Sequence, residues 1–397
     1  MGAALPLQKV YVGAEFELLC QCARPAPEGV SCRTLLPIVD GEALRALAAR
    51  HRLEPLVAWR LTQHARDAVP EPLAATLCET VAATVQWNLA LARALVTTVT
   101  VLADAGIDTV AYKGPVLAVD AYGHLAARSA EDLDLLLPRD QILRAKEALI
   151  AAGFRPQNPL RGPQERLHLR TGYHYNLIAP GDVAPVELHW RLLPAYLPFP
   201  LAPEEAIARR RWVTLAGRPV PTLSREDTVL ALCAHGAKHA WDILGLVADV
   251  AAMVATSPDL DWHAIAARSE ALGAGRMVRL GLRLAHDLLA APVPSTALAA
   301  RDPTAAALAR EVTERLRGRA TAELGIAETM RFHLRCLPRW RDRWRYLLLT
   351  FTPTSADWEA LPEPAWLFPV WYAIRPVRLA WGALARRRRR HASTGAE

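Results

Sequence analysis

Arg128-Ser129-Ala130-Glu131-Asp132-Leu133-Asp134-Leu135-Leu136-Leu137-Pro138 is the stretch on which the reading of this chain turns. Carboxylates alternate with leucines, then give way to an apolar run that Pro138 stops. Successive side chains of a strand point to opposite faces, so Leu133, Leu135 and Leu137 share one face. Asp132 and Asp134 share the other, about 7 Å apart. Two carboxylates thus project together from one strand.

Upstream, Thr109-Val110-Ala111-Tyr112 is a short β-prone run that meets Lys113-Gly114-Pro115 and an apolar segment reaching Tyr122. Proline at a first helical position after a glycine turn marks a helix start, so a strand is expected to run straight into a helix at Lys113 and Gly114. Downstream, Asp140 to Ala152 has the pattern of an amphipathic helix closed by Gly153. Gly172–Ala179 and Ala184–Trp190 follow as β-like segments joined by the turn Pro180-Gly181-Asp182. A hairpin is expected around Ala216-Gly217-Arg218. Ser224 with Asp227 three residues later reads as a capping box opening a helix from about Arg225 to Ala240.

The flanks are helical in pattern. Glu42 to Arg66 and Glu71 to Asp104 space Leu, Val and Ala every three to four residues, and Ala-rich helices continue to about Arg335, broken at Pro292-Val293-Pro294-Ser295. The expected class is α+β, a small mixed-sheet unit between α-helical regions. The expected division is an N-terminal helical region 1–104, the α/β unit 105–222, a helical domain 223–335, a Trp/Arg-rich helical segment 336–380 and a mobile basic tail 381–397.

Composition agrees with a folded chain: 397 residues, 52% hydrophobic and 22% charged. The net charge of +7 is unevenly placed. Residues 375–397 carry +6 and residues 331–346 carry +5, which leaves the rest at −4. That distribution argues against nucleic-acid binding by the α/β unit. No run of 18 uninterrupted apolar residues occurs and the first residues lack a signal-peptide pattern, so the expected location is cytoplasmic. The six cysteines form no C-x-x-C pairs; Cys20-x-Cys22 with Cys32 has poor zinc spacing, and Cys78 and Cys233 read as buried apolar residues.

Paired carboxylates at a strand end suit nucleotidyl and phosphoryl transfer, where divalent metal must offset negative charge on phosphate oxygens. Mg²⁺ takes one or two carboxylates plus phosphate and water, and Mn²⁺ accepts the same ligands. Glu187, in Val186-Glu187-Leu188-His189-Trp190, is placed to add a third carboxylate and to serve as base. Gly114, at a helix N-terminus, would turn backbone N–H groups to a triphosphate, with Lys113 as an added charge.

These residues carry a resemblance. Tyr112-Lys113-Gly114, Tyr122-Gly123, Arg128, Asp132-Leu133-Asp134-Leu135-Leu136, Glu187-Leu188-His189-Trp190, His235-Gly236-Ala237-Lys238-His239-Ala240-Trp241, Asp249-Val250 and Ile374-Arg375-Pro376-Val377-Arg378-Leu379 occur in an order that resembles the bacterial uncharacterised nucleotidyltransferase family of the polymerase-β-like superfamily. The resemblance spans about residues 35–380. It implies a nucleotidyltransferase-like α/β unit and Mg²⁺-dependent transfer of a nucleoside monophosphate from an NTP, with pyrophosphate leaving. Asp132, Asp134 and Glu187 would be catalytic and metal-holding residues. Minimal members of the superfamily have Gly-Ser where this chain has Lys113-Gly114, so charge from Lys113 replaces a hydroxyl contact. The family's acceptors are mostly unestablished, and related proteins accompany peptide natural-product genes. The acceptor therefore stays open between small molecule, peptide and protein side chain, and a catalytically silent nucleotide-binding or scaffold protein is the alternative.

Other residues are expected to support the site. Arg128 either contacts phosphate or pairs with Asp132 or Glu131. His189 reads as a neighbour of the ligands, since Mg²⁺ seldom takes imidazole. His235 and His239 share a helix face without the H-E-x-x-H pattern, and with Lys238 they suit contact with NTP phosphate or acceptor. Residues 331–380, with their interleaved Trp and Arg, are expected to pack as terminal helices, although the same composition suits anionic lipid or RNA. Arg386–Arg390 is expected to give weak polyanion or membrane-surface contact.

Overall fold

In the computed structural model, which describes residues 8–25, 29–160, 162–298, 302–318 and 324–350, five α-helices precede the first strand among the described residues. They are α1 (Gln8–Ala23), α2 (Gly29–Leu35), α3 (Gly41–Arg50), α4 (Glu54–His64) and α5 (Glu71–Asp104). The run expected over Glu42–Arg66 is broken. Arg52 takes a positive φ of 54° and Pro55, which has no N–H to donate backward, stands in the first turn of α4.

The mixed-sheet unit comprises β1 (Val110–Ala111), α6 (Gly114–Tyr122), β2 (Leu133–Leu136), α7 (Ile142–Ala151), β3 (Arg155–Pro156), α8 (Pro163–Thr171), β4 (His174–Ile178), β5 (Pro185–His189), α9 (Pro203–Ala208), β6 (Arg211–Leu215) and β7 (Arg218–Thr222). The strands form one sheet in the order β3-β4-β5-β2-β1-β7-β6. β2 is central, antiparallel to β1 and parallel to β5. The expected turns are present: Gly153 and Gly181 have φ of 92° and 77°, and Ala216 and Gly217, both at positive φ, close the β6–β7 hairpin.

Helices resume with α10 (Arg225–Lys238), α11 (Leu244–Ala255), α12 (Trp262–Ala271), α13 (Gly275–Leu289), α14 (Ser295–Leu298), α15 (Pro303–Arg317), α16 (Ile326–Cys336) and α17 (Trp340–Thr350). The Ser224 side chain accepts from Asp227 N at 3.1 Å, but the carboxylate of Asp227 faces Arg209 and Arg268. Only half of the expected capping box is therefore formed, because two guanidiniums hold Asp227 more strongly than a backbone amide would. The expected tail 381–397 and residues 351–380 of the Trp/Arg-rich segment lie outside the described residues.

Burial follows the alternation of β2. Leu133, Leu135 and Leu137 join Leu91, Leu95 and Leu102 of α5 and Ile142 and Leu149 of α7 in one core. Leu136, on the other face, joins a second core shared by helices from both ends of the chain, including Leu44, Leu56, Leu230, Val250 and Leu284. Helix α5 is long and apolar enough by length and composition to cross a membrane. Here it lines the sheet core and supports a site loop, with Asn88 Nδ2 donating to Leu125 O at 2.6 Å and Arg128 O at 2.7 Å. Cys78 is exposed on this helix, against the expectation of burial, while Cys20, Cys22, Cys32 and Cys233 are buried.

Candidate active site

The site begins at the turn between β1 and α6. Lys113 caps α6 in extended conformation, and Gly114 follows at φ 61°. A Cβ at Gly114 would stand 3.0 Å from Asp132 O, so both the left-handed backbone and the close approach require glycine. Tyr112 N donates to Asp134 O at 3.3 Å, which fixes the turn against the strand carrying both aspartates.

Asp134 is buried at the centre of the site. Its Oδ1 accepts from His189 Nε2 at 3.0 Å and Tyr112 Oη at 3.2 Å, and lies 3.0 Å from Lys113 Nζ. Its Oδ2 is buried without a hydrogen-bond partner among the described residues. An ionised buried oxygen left unpaired is costly, and it supplies a hard donor for a divalent cation. Glu187 is the register partner of Asp134 across β2 and β5, and His189 Nε2 also lies 3.0 Å from Glu187 Oε2. Ligand atoms from Asp132, Asp134 and Glu187 all lie within 4.8 Å of one another. The carboxylate set and the unpaired oxygen fit a hard divalent metal, with Asp132, Asp134 and Glu187 as the residues able to hold it.

Electrostatics separates the three carboxylates. Burial, then the neighbouring Asp134 charge, pushes Asp132 up to about 6. Burial acts the same way on Asp134, but the Lys113 ammonium and the His189 hydrogen bond outweigh it and hold Asp134 well below the usual carboxylate range. Glu187 is lowered too: burial raises it, and the His189 hydrogen bond and the His174 ring more than offset that. Burial lowers His189, yet its bonds to Asp134 and Glu187 leave it raised. It stands between two of the three carboxylates, within hydrogen-bond distance of each.

Most of the residues singled out from sequence line one cavity of about 570 Å³, while Asp134 and Gly114 are buried behind it and are not part of its lining. Lys113, Arg128, Asp132, Glu187, His189, His235, Lys238 and His239 all line it. Lys238, at the end of α10, lies 3.5 Å from the Tyr173 hydroxyl and 5.3 Å from its ring centroid. Burial, then the Lys113 charge, lowers Lys238 below the ordinary lysine value. His235 and His239 meet edge to face at 4.7 Å. The end of α10 is held from behind by His333, whose Nε2 lies 3.2 Å from Ala237 O and 3.0 Å from Lys238 O.

Arg128 lines the cavity, but the ion pairs expected for it do not form. Its guanidinium pairs with Asp249 of α11, Nε to Oδ1 at 2.9 Å and Nη2 to Oδ2 at 3.1 Å, and not with Asp132 or Glu131. Tyr122 Oη donates to the same Asp249 Oδ1 at 2.8 Å. Tyr173 and His174 were not singled out by sequence. His174 is opposite His189 in the β4–β5 register, with Nε2 4.0 Å from Glu187 Oε1. The alternation of His174 and Asn176 across from His189 and Glu187 was the available signal, legible only once those strands are paired.

A family model described as "Uncharacterised nucleotidyltransferase" matches residues 38–290. Comparison with curated proteins gives no match. A solution structure of the antibiotic-resistance factor ANT(2'')-Ia aligns at 14% identity over 46% of this chain and 90% of that one, with a TM-score of 0.31, too distant to carry an argument. The family match extends from the N-terminal helices through the carboxylate site to α13. By that match the chain belongs to the uncharacterised nucleotidyltransferase family.

Proposed function

We propose that the protein is a metal-dependent nucleotidyltransferase that moves a nucleoside monophosphate from an NTP to an acceptor and releases pyrophosphate. One observation carries the reading: the carboxylates of Asp132, Asp134 and Glu187 lie together, Asp134 keeps a buried Oδ2 without a hydrogen-bond partner among the described residues, and Asp132 and Glu187 line the cavity. Asp132, Asp134 and Glu187 would hold Mg²⁺ or Mn²⁺, which when bound supplies charge to offset the phosphate oxygens. Gly114, at the start of α6, presents backbone N–H groups and Lys113 an ammonium to the triphosphate. Lys238 supplies charge from the helical side. Arg128 acts through Asp249, fixing the loop that leads to Asp132.

The acceptor nucleophile forms a bond to the α-phosphorus as the bond to the pyrophosphate oxygen breaks. Glu187, ionised at neutral pH, takes the acceptor proton. His189 holds Glu187 and Asp134 at fixed separation and keeps their charges from repelling one another apart.

The test is release of labelled pyrophosphate from each of the four NTPs, with Mg²⁺ or Mn²⁺, over small-molecule, peptide and protein acceptors. Turnover should disappear with Asp132→Asn/Asp134→Asn while the fold, read by circular dichroism, persists. Metal-dependent NTP binding without pyrophosphate release over the whole panel would favour a silent nucleotide-binding or scaffold protein instead.

A further inference from the structure

Helix α17 turns an apolar stripe outward. Asp342 and Tyr346 are buried, and Tyr346 Oη lies 3.0 Å from His333 Nδ1. Trp340, Trp344 and Leu348 are 74%, 59% and 69% exposed. At about 3.6 residues per turn, positions i, i+4 and i+8 form a stripe roughly 12 Å long on the side away from Asp342 and Tyr346. Exposed Arg341 and Arg345 border it on one flank and exposed Arg343 on the other. Among the described residues the helix therefore packs through one face.

We infer that this face of α17 docks on an anionic lipid surface. Large aromatic and aliphatic side chains in line, flanked by arginine on both sides, match a helix lying in the interface plane with guanidiniums at headgroup phosphates. Charge decides between occupants. The exposed charges bordering the stripe on α17 are Arg341, Arg343 and Arg345, so a second copy of the same face would bring like charges together, whereas an acidic headgroup layer complements them. Leu348 continues the Trp line where base stacking would have no use for an aliphatic side chain. The stripe lies outside the catalytic cavity, so docking places the enzyme at a surface without taking part in the reaction.

The experiment uses the full chain and sedimentation with vesicles of phosphatidylcholine alone or mixed with phosphatidylglycerol. The native protein should partition to the acidic vesicles and come off with salt. Trp340→Ser/Trp344→Ser and Arg341→Gln/Arg345→Gln should each lower partitioning at least about tenfold, with nucleotide binding in the cavity unchanged. The arginine pair keeps the question answerable should the tryptophan pair disturb folding. Unaltered partitioning in both pairs, with loss only when Arg386–Arg390 are changed to Gln, would overturn the inference. So would retention on single-stranded RNA in place of vesicles, or a stripe-dependent dimer in analytical ultracentrifugation.

Discussion

Asp134 of β2 and Glu187 of β5 are direct partners in a parallel ladder, and one imidazole nitrogen, His189 Nε2, stands 3.0 Å from a carboxylate oxygen of each. Two acids 53 positions apart in sequence thereby share one face of the sheet. The hydrogen-bonding imidazole lets both stay ionised at close range.

Replacing either acid should uncouple stability from activity. Glu187→Gln is expected to lower pyrophosphate release at least about a hundredfold, with Mn²⁺ affinity in titration calorimetry reduced. Chelation of metal by EDTA should stop turnover reversibly. Unchanged turnover in Glu187→Gln would remove it from the site.

Gly114→Ala should be costly for two reasons, positive φ and a Cβ 3.0 Å from Asp132 O. The left-handed backbone alone costs about 1–2 kcal/mol. Urea denaturation should show at least that loss, and the shifted Asp132 carbonyl should weaken Mn²⁺ binding. A variant of native stability and metal affinity would show that the turn tolerates a side chain.

The Arg128–Asp249 pair offers a double-mutant cycle. Asp249→Leu leaves a largely buried guanidinium unpaired and should cost about 3–5 kcal/mol. Arg128→Met/Asp249→Leu should cost less than Asp249→Leu alone, because no charge remains unpaired. Additive costs in urea denaturation would show that the two side chains are not coupled.

His51 predicts a pH dependence of stability. Burial, then the Arg50 charge, lowers it from 6.5 to about 4, and its Nδ1 accepts from Leu244 N at 3.1 Å. The folded state thus binds fewer protons than the unfolded state between these values. The contribution is full above the unfolded pKa and is lost as pH falls from about 6.5 towards 4, in total about 3 kcal/mol. His51→Gln should flatten the stability profile over that window, read by urea denaturation at pH 7.5, 6 and 4.5; an unchanged slope would assign the effect to other groups.

Local signals were legible where neighbours in sequence supply the physics. The facing of Leu133, Leu135 and Leu137 follows from strand periodicity, the β6–β7 hairpin from Ala216-Gly217, and the start of α10 from the Ser224 cap. Arg128 illustrates the opposite case. Its nearest acids in sequence are Glu131 and Asp132, yet it takes Asp249, 121 positions away, because α11 packs against α6 beside the loop. Cys78 is exposed in spite of its apolar helical surroundings in sequence, because such a pattern does not say which face finds a partner.

By itself the sequence determined the strand that carries Asp134, the helix starts at Gly114 and Ser224 and the β6–β7 turn, since each depends on backbone sterics within a few residues. Only the tertiary structure decided that β5 lies beside β2 in the register that sets Glu187 against Asp134, that His189 joins them, and that α10 brings Lys238 across the cavity. Those contacts arise from packing apolar faces on both sides of one sheet. A hydrophobic face has no direction of its own, so the partner it meets is settled by the rest of the chain.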